Sequence, residues 1–299
     1  MRSSPPRLVR STTPLLCFLI IHVLPPSDAR GADPVQVTTQ GGYEPAPSRD
    51  GNWIAFQYGG GIAKTRADGS DFTQLTVSGG DLDWGRPGNL IVFADYYSRL
   101  FTVDAVTAET THVWTGCAEH PAWSPVADEI AVQCPGLAIV HYPYGPSTSR
   151  SCGNGCSDVQ SMTWSPDGQW LSTDHQGAIW KIPRANGPAE ILTGDRCRFP
   201  DWSPDGRWIA FSKQFTPIPP PDGSYPYNIW VVDARGESFG KAQITFGAFH
   251  DLDPAWSPDG ASIYFGSDRS GGGQIWKVAF DATVRTRAGT WGRLKAIYR

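Results

Sequence analysis

The sequence has few charged residues and very little methionine. Asp, Glu, Lys and Arg together make up 18% of the 299 residues, and only two residues are Met. With 40% of the residues hydrophobic, we expect a packed core rather than a disordered chain. The chain has no basic run and a formal net charge of −4, which argues against nucleic acid as a partner.

The sequence also lacks an apolar run that could span a membrane near its start. The run at residues 15–24 is ten residues long, whereas a spanning helix needs about 20. Three arginines precede this run and Ser27-Asp28-Ala29 follows it, which is the order of a secretory signal. We therefore predict a signal peptide at residues 1–29 and an exported protein, periplasmic or secreted, with no transmembrane anchor in the mature chain. Removal of this signal peptide takes away three Arg and one Asp, so the net charge changes from −4 to −6.

Motifs of common enzyme classes are missing. The sequence contains no G-x-S-x-G elbow, no H-E-x-x-H pair and no phosphate-binding loop. The sequence thus predicts no cofactor and favours a protein that is not an enzyme.

The sequence instead contains an internal repeat. Three copies are nearly identical, at Met162–Gly168, Pro200–Gly206 and Pro254–Gly260, and each contains Trp-Ser-Pro-Asp-Gly. Weaker copies surround Trp84 and Trp123, and a sixth has Pro47 at the position of the Trp. The intervals between these positions are 37, 39, 41, 38 and 54 residues. A repeat of about forty residues indicates an array of equivalent structural units.

Each unit reads as four short strands. An alternating strand such as Trp208-Ile209-Ala210-Phe211 follows the Pro-Asp-Gly turn, and a third strand such as Ile229-Trp230-Val231-Val232 follows a loop. A further turn leads to a fourth strand that ends in Thr, as at Thr76 and Thr245. Four strands per forty residues predict a propeller blade, so the fold class is an all-β, six-bladed β-propeller of four-stranded antiparallel blades. We expect the repeated Trp to fill the space between adjacent blades.

These units resemble the WD-like repeats of the TolB-like propeller family over roughly residues 35–280. The resemblance identifies a scaffold and not a reaction. In that family TolB itself carries an α/β domain before its propeller, for which this chain has no room, so we expect a stand-alone propeller.

The N-terminal segment predicts how the ring closes. Gln36-Val37-Thr38-Thr39-Gln40-Gly41-Gly42 matches Gln74–Gly80 at the end of the first blade. We expect this extra fourth strand to complete the last blade beside Ile275–Val278 and so cover an exposed edge. The predicted domains are a signal peptide at 1–29, a propeller at 33–280 and a C-terminal tail at 281–299, with a degenerate blade at 121–156.

Candidate binding residues concentrate on one face, formed by the loops between second and third strands and between successive blades. The longest insertion, Lys213–Asn228, lies in such a loop. Loops on a rigid scaffold commonly carry function, so we expect a protein or peptide partner to bind there. We expect the protein itself to be monomeric. The predicted partner-binding residues are Tyr96, Tyr97, Arg99, Tyr225, Tyr227, Asp268 and Arg269.

Acidic residues and histidines on the same face allow a second interpretation. The approaches to the inner strands carry Glu44, Asp81, Asp83, Glu119, His120, His250, Asp251 and Asp253. Carboxylates and a His could bind a divalent cation at the channel mouth, as in a metal-assisted hydrolase or lyase. The predicted ligands in that case are Asp81, Asp83, His120, His250 and Asp251.

Five cysteines follow the predicted signal peptide, so at least one cannot pair within the chain. Counting outward from the turn at 124–128 brings Cys117 near Cys134 at the open end of a hairpin, which predicts a disulfide. Cys152, Cys156 and Cys197 are expected in loops on the same face, where one further bond is possible.

Overall fold

A computed structural model shows six four-stranded antiparallel sheets that follow one another along the chain. It describes residues 32–85, 88–134, 136–143, 148–150, 161–185, 187–194, 196–214 and 225–281. Each sheet is one blade of a propeller, which confirms the predicted fold class. The predicted signal peptide, Cys152, Cys156 and the tail after Asp281 lie outside the described residues.

The first three blades use strands β2 to β13. Blade 1 comprises β2 Tyr43–Pro47, β3 Trp53–Tyr58, β4 Gly61–Arg66 and β5 Thr73–Gln74. Blade 2 comprises β6 Gly80–Trp84, β7 Leu90–Ala94, β8 Leu100–Asp104 and β9 Thr110–Trp114. Blade 3 comprises β10 Glu119–Trp123, β11 Glu129–Gln133, β12 Leu137–His141 and β13 Thr148–Arg150.

The last three blades include the N-terminal strand. Blade 4 comprises β14 Met162–Trp164, β15 Trp170–His175, β16 Ala178–Pro183 and β17 Glu190–Thr193. Blade 5 comprises β18 Cys197–Trp202, β19 Trp208–Gln214, β20 Tyr227–Asp233 and β21 Lys241–Gln243, with a short 3-10 helix at Glu237–Phe239. Blade 6 comprises β22 Asp251–Trp256, β23 Ser262–Ser267, β24 Gln274–Ala279 and β1 Val35–Gln36.

The Ser-Pro-Asp-Gly repeat is the turn between the first and second strands of a blade. In blade 5, Ser203 Oγ donates to Asp205 Oδ1 at 2.5 Å and accepts the Trp208 amide at 2.8 Å. Gly206 has φ of 68°, a left-handed conformation that an L side chain rarely adopts. Ser165 and Ser257 make the equivalent bonds in blades 4 and 6. The local chemistry of the motif therefore closes the inner hairpins of blades 4, 5 and 6.

The repeated tryptophans lie in hydrophobic cores between neighbouring blades. Trp164 of blade 4 packs with Ile139 of blade 3, and Trp256 of blade 6 packs with Val231 of blade 5. Between blades 6 and 1, where Pro47 replaces the Trp, Tyr264 and Phe56 lie in the core instead. The predicted role of the tryptophans is confirmed, and one junction of the ring lacks this residue.

Strand β1 closes the ring as predicted. Val35 pairs with Lys277 and Gln36 with Trp276 in an antiparallel register, and the Val37 amide donates to Ile275 O at 2.8 Å. Blade 6 is therefore built from both ends of the described chain.

Two sequence expectations about loops were wrong. Cys197 lies in strand β18 and is fully buried, because it packs with Trp202 and Phe211 in the core between blades 4 and 5. Tyr227 lies in β20 rather than in the insertion, since β19 and β20 pair as far as Gln214 and Tyr227. Residues 215–224 of the insertion lie outside the described part of the chain.

Candidate functional site

A ring of equivalent residues surrounds the mouth of the central channel. Each lies three positions before the repeated Trp or Pro47, at the start of the inner strand of its blade. Five of them have left-handed φ angles between 48° and 55°, and the inner strands of their blades contain register shifts typical of β-bulges. All six line the channel, and they are Glu44, Asp81, His120, Ser161, Phe199 and Asp253.

The channel is a cavity of about 880 Å³ along the axis of the ring. On one side of its mouth, the ring residues of four consecutive blades are linked by hydrogen bonds. Asp253 accepts the Glu44 amide, and Glu44 Oε2 accepts the Asp81 amide at 2.9 Å. Asp81 accepts the His120 amide at 3.4 Å, and its Oδ1 lies 3.2 Å from His120 Nδ1. We call these four residues the mouth arc.

Burial and mutual repulsion shift the protonation of the mouth arc. Burial and the Asp81 charge raise the pKa of Glu44 to about 7, and burial and the Glu44 charge raise the pKa of Asp253 well above its usual value. Burial opposes ionisation of Asp81 and His120 as well, but their ion pair outweighs it. The pKa of Asp81 is therefore lowered and that of His120 is raised.

Two further aspartates lie deeper in the channel, one position before a repeated Trp. Asp83 Oδ2 accepts the Trp123 amide of the next blade at 2.7 Å. Asp201 accepts the Trp256 amide at 2.7 Å and the Thr163 hydroxyl at 3.0 Å, which links three blades. Burial raises the pKa of Asp83 to about 6 and that of Asp201 to about 7. Their contacts are with the chain itself, so they join blades.

Exposed hydrophobic side chains concentrate on the face that holds the channel mouth. Within the described residues, seven of the twelve exposed large hydrophobic side chains lie on this face. They are Tyr43, Val77, Tyr96, Tyr97, Tyr225, Phe246 and Phe249. We call the six aromatic members of this set the aromatic rim. It surrounds a mouth whose ring residues include three carboxylates.

The predicted partner-binding residues differ in how free they are to bind. Tyr97 is 80% exposed, and Tyr96 is 69% exposed with its hydroxyl donated to Gly60 O at 2.8 Å. Arg99 is tied to Asp95 at 2.5 Å. Tyr225 lies on the same face, with its ring 5.8 Å from the Arg196 guanidinium.

The predicted binding residues of blades 5 and 6 are engaged within the chain. Arg269 donates to the buried Asp251 carboxylate at 2.5 Å and to Phe246 O. Asp268 accepts the His250 amide and lies 2.9 Å from His250 Nδ1, while the Tyr227 ring lies 6.4 Å from the His250 ring. Asp268 and Arg269 therefore hold the loop before β22 in place.

The five predicted metal ligands do not form one group. Asp81 and His120 pair with each other, whereas His250 pairs with Asp268 and Asp251 with Arg269. Across the part of the chain that the structure describes, no three His, Cys, Asp or Glu side chains are placed to hold a metal ion.

A disulfide fixes the edge of this face at blade 3. Cys117 and Cys134 are bonded, with their Cα atoms 5.1 Å apart. Cys134 also donates its amide to Gly136 O, at the hairpin between β11 and β12. The bond joins the loop before β10 to the end of β11, at the open end of the inner hairpin.

The sequence pointed to part of the mouth arc. Asp81 and His120 were among the predicted ligands, whereas Glu44 and Asp253 were only noted as approaches to inner strands. Counting three residues back from each repeated Trp and from Pro47 would have selected all four. The sequence signal for the mouth arc is therefore the distance of a residue from the repeated Trp, and not the type of that residue.

Comparisons with known proteins agree with this architecture. Residues 195–297 match the TolB beta propeller domain family. The structure of a putative TolB from Agrobacterium tumefaciens superposes with a TM-score of 0.61 at 17% identity, over 80% of this chain and 90% of that one. The chain is a six-bladed β-propeller, and its residues 195–297 match the TolB family.

Two other proteins are similar to this TolB-like propeller. An uncharacterised protein of Agrobacterium fabrum is 28% identical over 163 residues, which cover 42% of this chain and 56% of that protein. The match thus spans just over half the length of that relative. An oligogalacturonate lyase in complex with manganese superposes with a TM-score of 0.52 at 13% identity, over 86% of this chain and 99% of that one. At that identity the likeness concerns the fold.

Within the described residues of the TolB-like propeller, no helix has the length and apolar character needed to cross a membrane.

Proposed function

We propose that this TolB-like propeller is an exported, non-catalytic scaffold that binds a protein or peptide partner on its channel-mouth face. The observation that carries the proposal is the aromatic rim. Exposed apolar side chains gathered on one face mark an interaction surface more often than single exposed residues do. Tyrosine is particularly suited to this role, because it offers a large, rigid and amphipathic contact area.

The protonation of the mouth indicates the partner's chemistry. The pKa of Glu44 is raised to about 7 and that of Asp253 well above its usual value, while Asp81 forms an ion pair with His120. The mouth arc therefore carries little net charge near neutral pH, and exposed aromatic rings lie on the same face. The proposed partner segment is accordingly mainly apolar. Export is supported by the secretory-signal pattern of residues 1–29, and an exported propeller would present this face to partners outside the cytoplasm.

The proposal is tested by capture with matched variants of the two faces. A mouth-face variant, Tyr96→Ser with Tyr97→Ser, removes two exposed rings. The control, Val106→Ser with Phe239→Ser, removes two exposed apolar side chains from the opposite face, which carries the turns between third and fourth strands. Immobilised wild type and variants are incubated with envelope extract, and each captured protein is then measured with purified components.

We expect a saturable partner whose affinity falls at least tenfold in the mouth-face variant and stays unchanged in the control. A partner lost equally in both variants, or in neither, contradicts the proposal. Stoichiometric metal in the purified protein, lost on His120→Ala, would instead favour the hydrolase or lyase interpretation. Shortening of the 213–228 insertion then reports whether that segment contributes contacts.

A further inference from the structure

The central channel also reaches the face opposite its mouth, which carries the turns between first and second strands. At that end, the cavity of about 880 Å³ is lined by the second residue of these turns. Four blades have proline at this position, and blade 1 has Arg49 instead. The prolines are Pro125, Pro166, Pro204 and Pro258. We call this end of the channel the turn-face opening.

Two of these prolines have a clear packing role between blades. Pro166 and Pro204 each pack against the turn glycine of the next blade, since a Cβ atom added to Gly206 or Gly260 would lie 3.3 Å from the proline ring. After the blade 1 turn, the equivalent glycine is Gly88, and a Cβ atom added there would meet no described atom within 4 Å. The residue at this position in blade 1 is therefore free of the packing role that proline has elsewhere.

The blade 1 turn holds the Arg49 guanidinium at the opening. Ser48 Oγ donates to Asp50 Oδ1 at 2.6 Å and accepts the Trp53 amide at 2.9 Å, so the main chain of the turn is well fixed. Burial raises the pKa of Asp83 and the charge of Arg49 opposes this rise, so the guanidinium lies near the channel wall. No hydrogen bond or ion pair to a described residue engages the exposed Arg49 side chain. Its donors are available to a ligand.

The surroundings of this guanidinium indicate the chemistry of that ligand. A guanidinium presents a planar fork of N–H donors that matches a carboxylate. Small-molecule sites are typically cavities of about 300–1,000 Å³ with apolar walls and few polar groups, and the channel has this size and proline walls at this end. Further along the channel lie the Asp83 and Asp201 carboxyl groups, which disfavour a second negative charge on the ligand.

We propose that the turn-face opening binds a small organic acid with a single carboxylate and an apolar body. The carboxylate lies on the Arg49 guanidinium, and the apolar body packs against the proline rings of the opening. This site is at the opposite end of the channel from the mouth arc, so it does not depend on the partner proposed for the mouth face.

Isothermal titration calorimetry with three probes tests the site at pH 7. Cyclohexanecarboxylate has both required parts, whereas cyclohexanecarboxamide lacks the charge and acetate lacks the apolar body. The salt concentration is kept constant, because exposed charges are screened by salt. We expect one saturable site for cyclohexanecarboxylate, with a Kd at least tenfold lower than for either comparison compound. Equal affinity for the acid and the amide, or no saturable binding of the acid, would overturn the proposal.

Two variants of Arg49 locate the binding. Arg49→Gln removes the charge, and Arg49→Pro restores the residue of the repeat at a turn position whose amide makes no hydrogen bond to a described residue. Both should fold, as thermal denaturation will show, and both should lose at least tenfold in affinity for cyclohexanecarboxylate.

Arg207→Gln is the matched control, because Arg207 is exposed on the same face but does not line the channel. This variant and the mouth-face variant Tyr96→Ser with Tyr97→Ser should bind the acid as the wild type does. Unchanged affinity in the two Arg49 variants, or an equal loss in Arg207→Gln, would show that the acid binds elsewhere and would contradict the assigned site.

Discussion

At the residue scale, the channel aspartates show how polar side chains can hold a propeller together from inside. Asp201 receives two bonds from two different neighbouring blades, one from the Trp256 amide and one from the Thr163 hydroxyl. An amide at this depth would otherwise lack a partner, and a buried unsatisfied donor costs about 1–3 kcal/mol. Burial raises the pKa of Asp201 to about 7, so the side chain is held partly protonated near neutral pH.

Removal of the Asp201 carboxyl group should therefore destabilise the folded ring, because both of these hydrogen bonds between blades are lost. We expect Asp201→Ala to lower the free energy of unfolding by about 2–3 kcal/mol, since it leaves the buried Trp256 amide without its acceptor. Asp201→Asn keeps one acceptor oxygen and should lose less than half as much. Urea denaturation at pH 7 measures both values.

The exposed Glu109→Ala is the control for this pair and should change stability by no more than about 0.5 kcal/mol. Equal losses for the Ala and Asn variants of Asp201 would show that packing rather than hydrogen bonding explains the role of this residue.

The sequence could not assign these roles to single residues. Asp83 was predicted as a possible metal ligand because it lies near the mouth, yet it accepts the Trp123 amide about forty residues later in the chain. Such a partner depends on the distance between neighbouring blades. That distance follows from the packing of the whole ring and has no local sequence signal.

At the element scale, one threonine explains why the N-terminal segment can replace a fourth strand. Thr76 Oγ1 accepts the Ile62 amide at 2.9 Å in blade 1, and Thr245 Oγ1 accepts the Ile229 amide at 2.8 Å in blade 5. Thr38 makes the same bond to the Ile275 amide at 2.9 Å and donates to Gln274 Oε1. The repeated Thr therefore joins the fourth strand to the third, whichever end of the chain supplies it.

Thr38 should consequently matter more than its short strand suggests. Thr38→Val keeps the shape but removes the acceptor of the buried Ile275 amide, and we expect a loss of about 1–3 kcal/mol in the free energy of unfolding. Thr38→Ser retains the hydroxyl, so its free energy of unfolding should fall by less than that of Thr38→Val. Thermal and urea denaturation of the three proteins check the order.

Deletion of residues 33–42 extends this experiment to the whole strand and should unfold the domain, because the edge of β24 is then exposed. An unchanged melting temperature of the deletion protein would contradict the role assigned to β1.

Elements with a repeated pattern were predictable and irregular ones were not. The strands around Trp202 and Trp256 followed from spacing, since turn chemistry and alternation repeat in every unit. Cys197 was misplaced because the loop before β18 is shorter than expected, and only packing in the core shows that it is buried.

At the scale of the whole molecule, the two faces of the ring are chemically different. On one face, the inner-hairpin turns of blades 4, 5 and 6 are Ser-Pro-Asp-Gly units in which the serine hydroxyl donates to the aspartate. The other face carries the variable loops, the aromatic rim and the mouth arc. Because the repeat determines the first face, variation between blades accumulates on the second, where we propose that the partner binds.

The buried carboxyl groups of the channel also predict how the global stability of the ring depends on pH. The pKa of Glu44 and Asp201 is raised to about 7 and that of Asp83 to about 6, so each group binds its proton more tightly in the folded state. The stabilisation that these groups provide to the folded ring is complete near pH 4, and it is lost as the pH rises through their raised pKa values. The raised pKa of His120 acts in the same direction, because its favourable charge is lost at higher pH.

We therefore expect the free energy of unfolding to be highest near pH 5 and to decline towards pH 8, by up to about 1.4 kcal/mol per pH unit for each proton released. Below about pH 4 the groups with lowered pKa, such as Asp81 and Asp259, become protonated and stability falls again. Urea denaturation across this range measures the profile, and Asp201→Asn should reduce its slope between pH 5 and 7. A stability that is constant or rises over that interval would show that the channel carboxyl groups are ionised in the folded ring, as solvent-exposed groups would be.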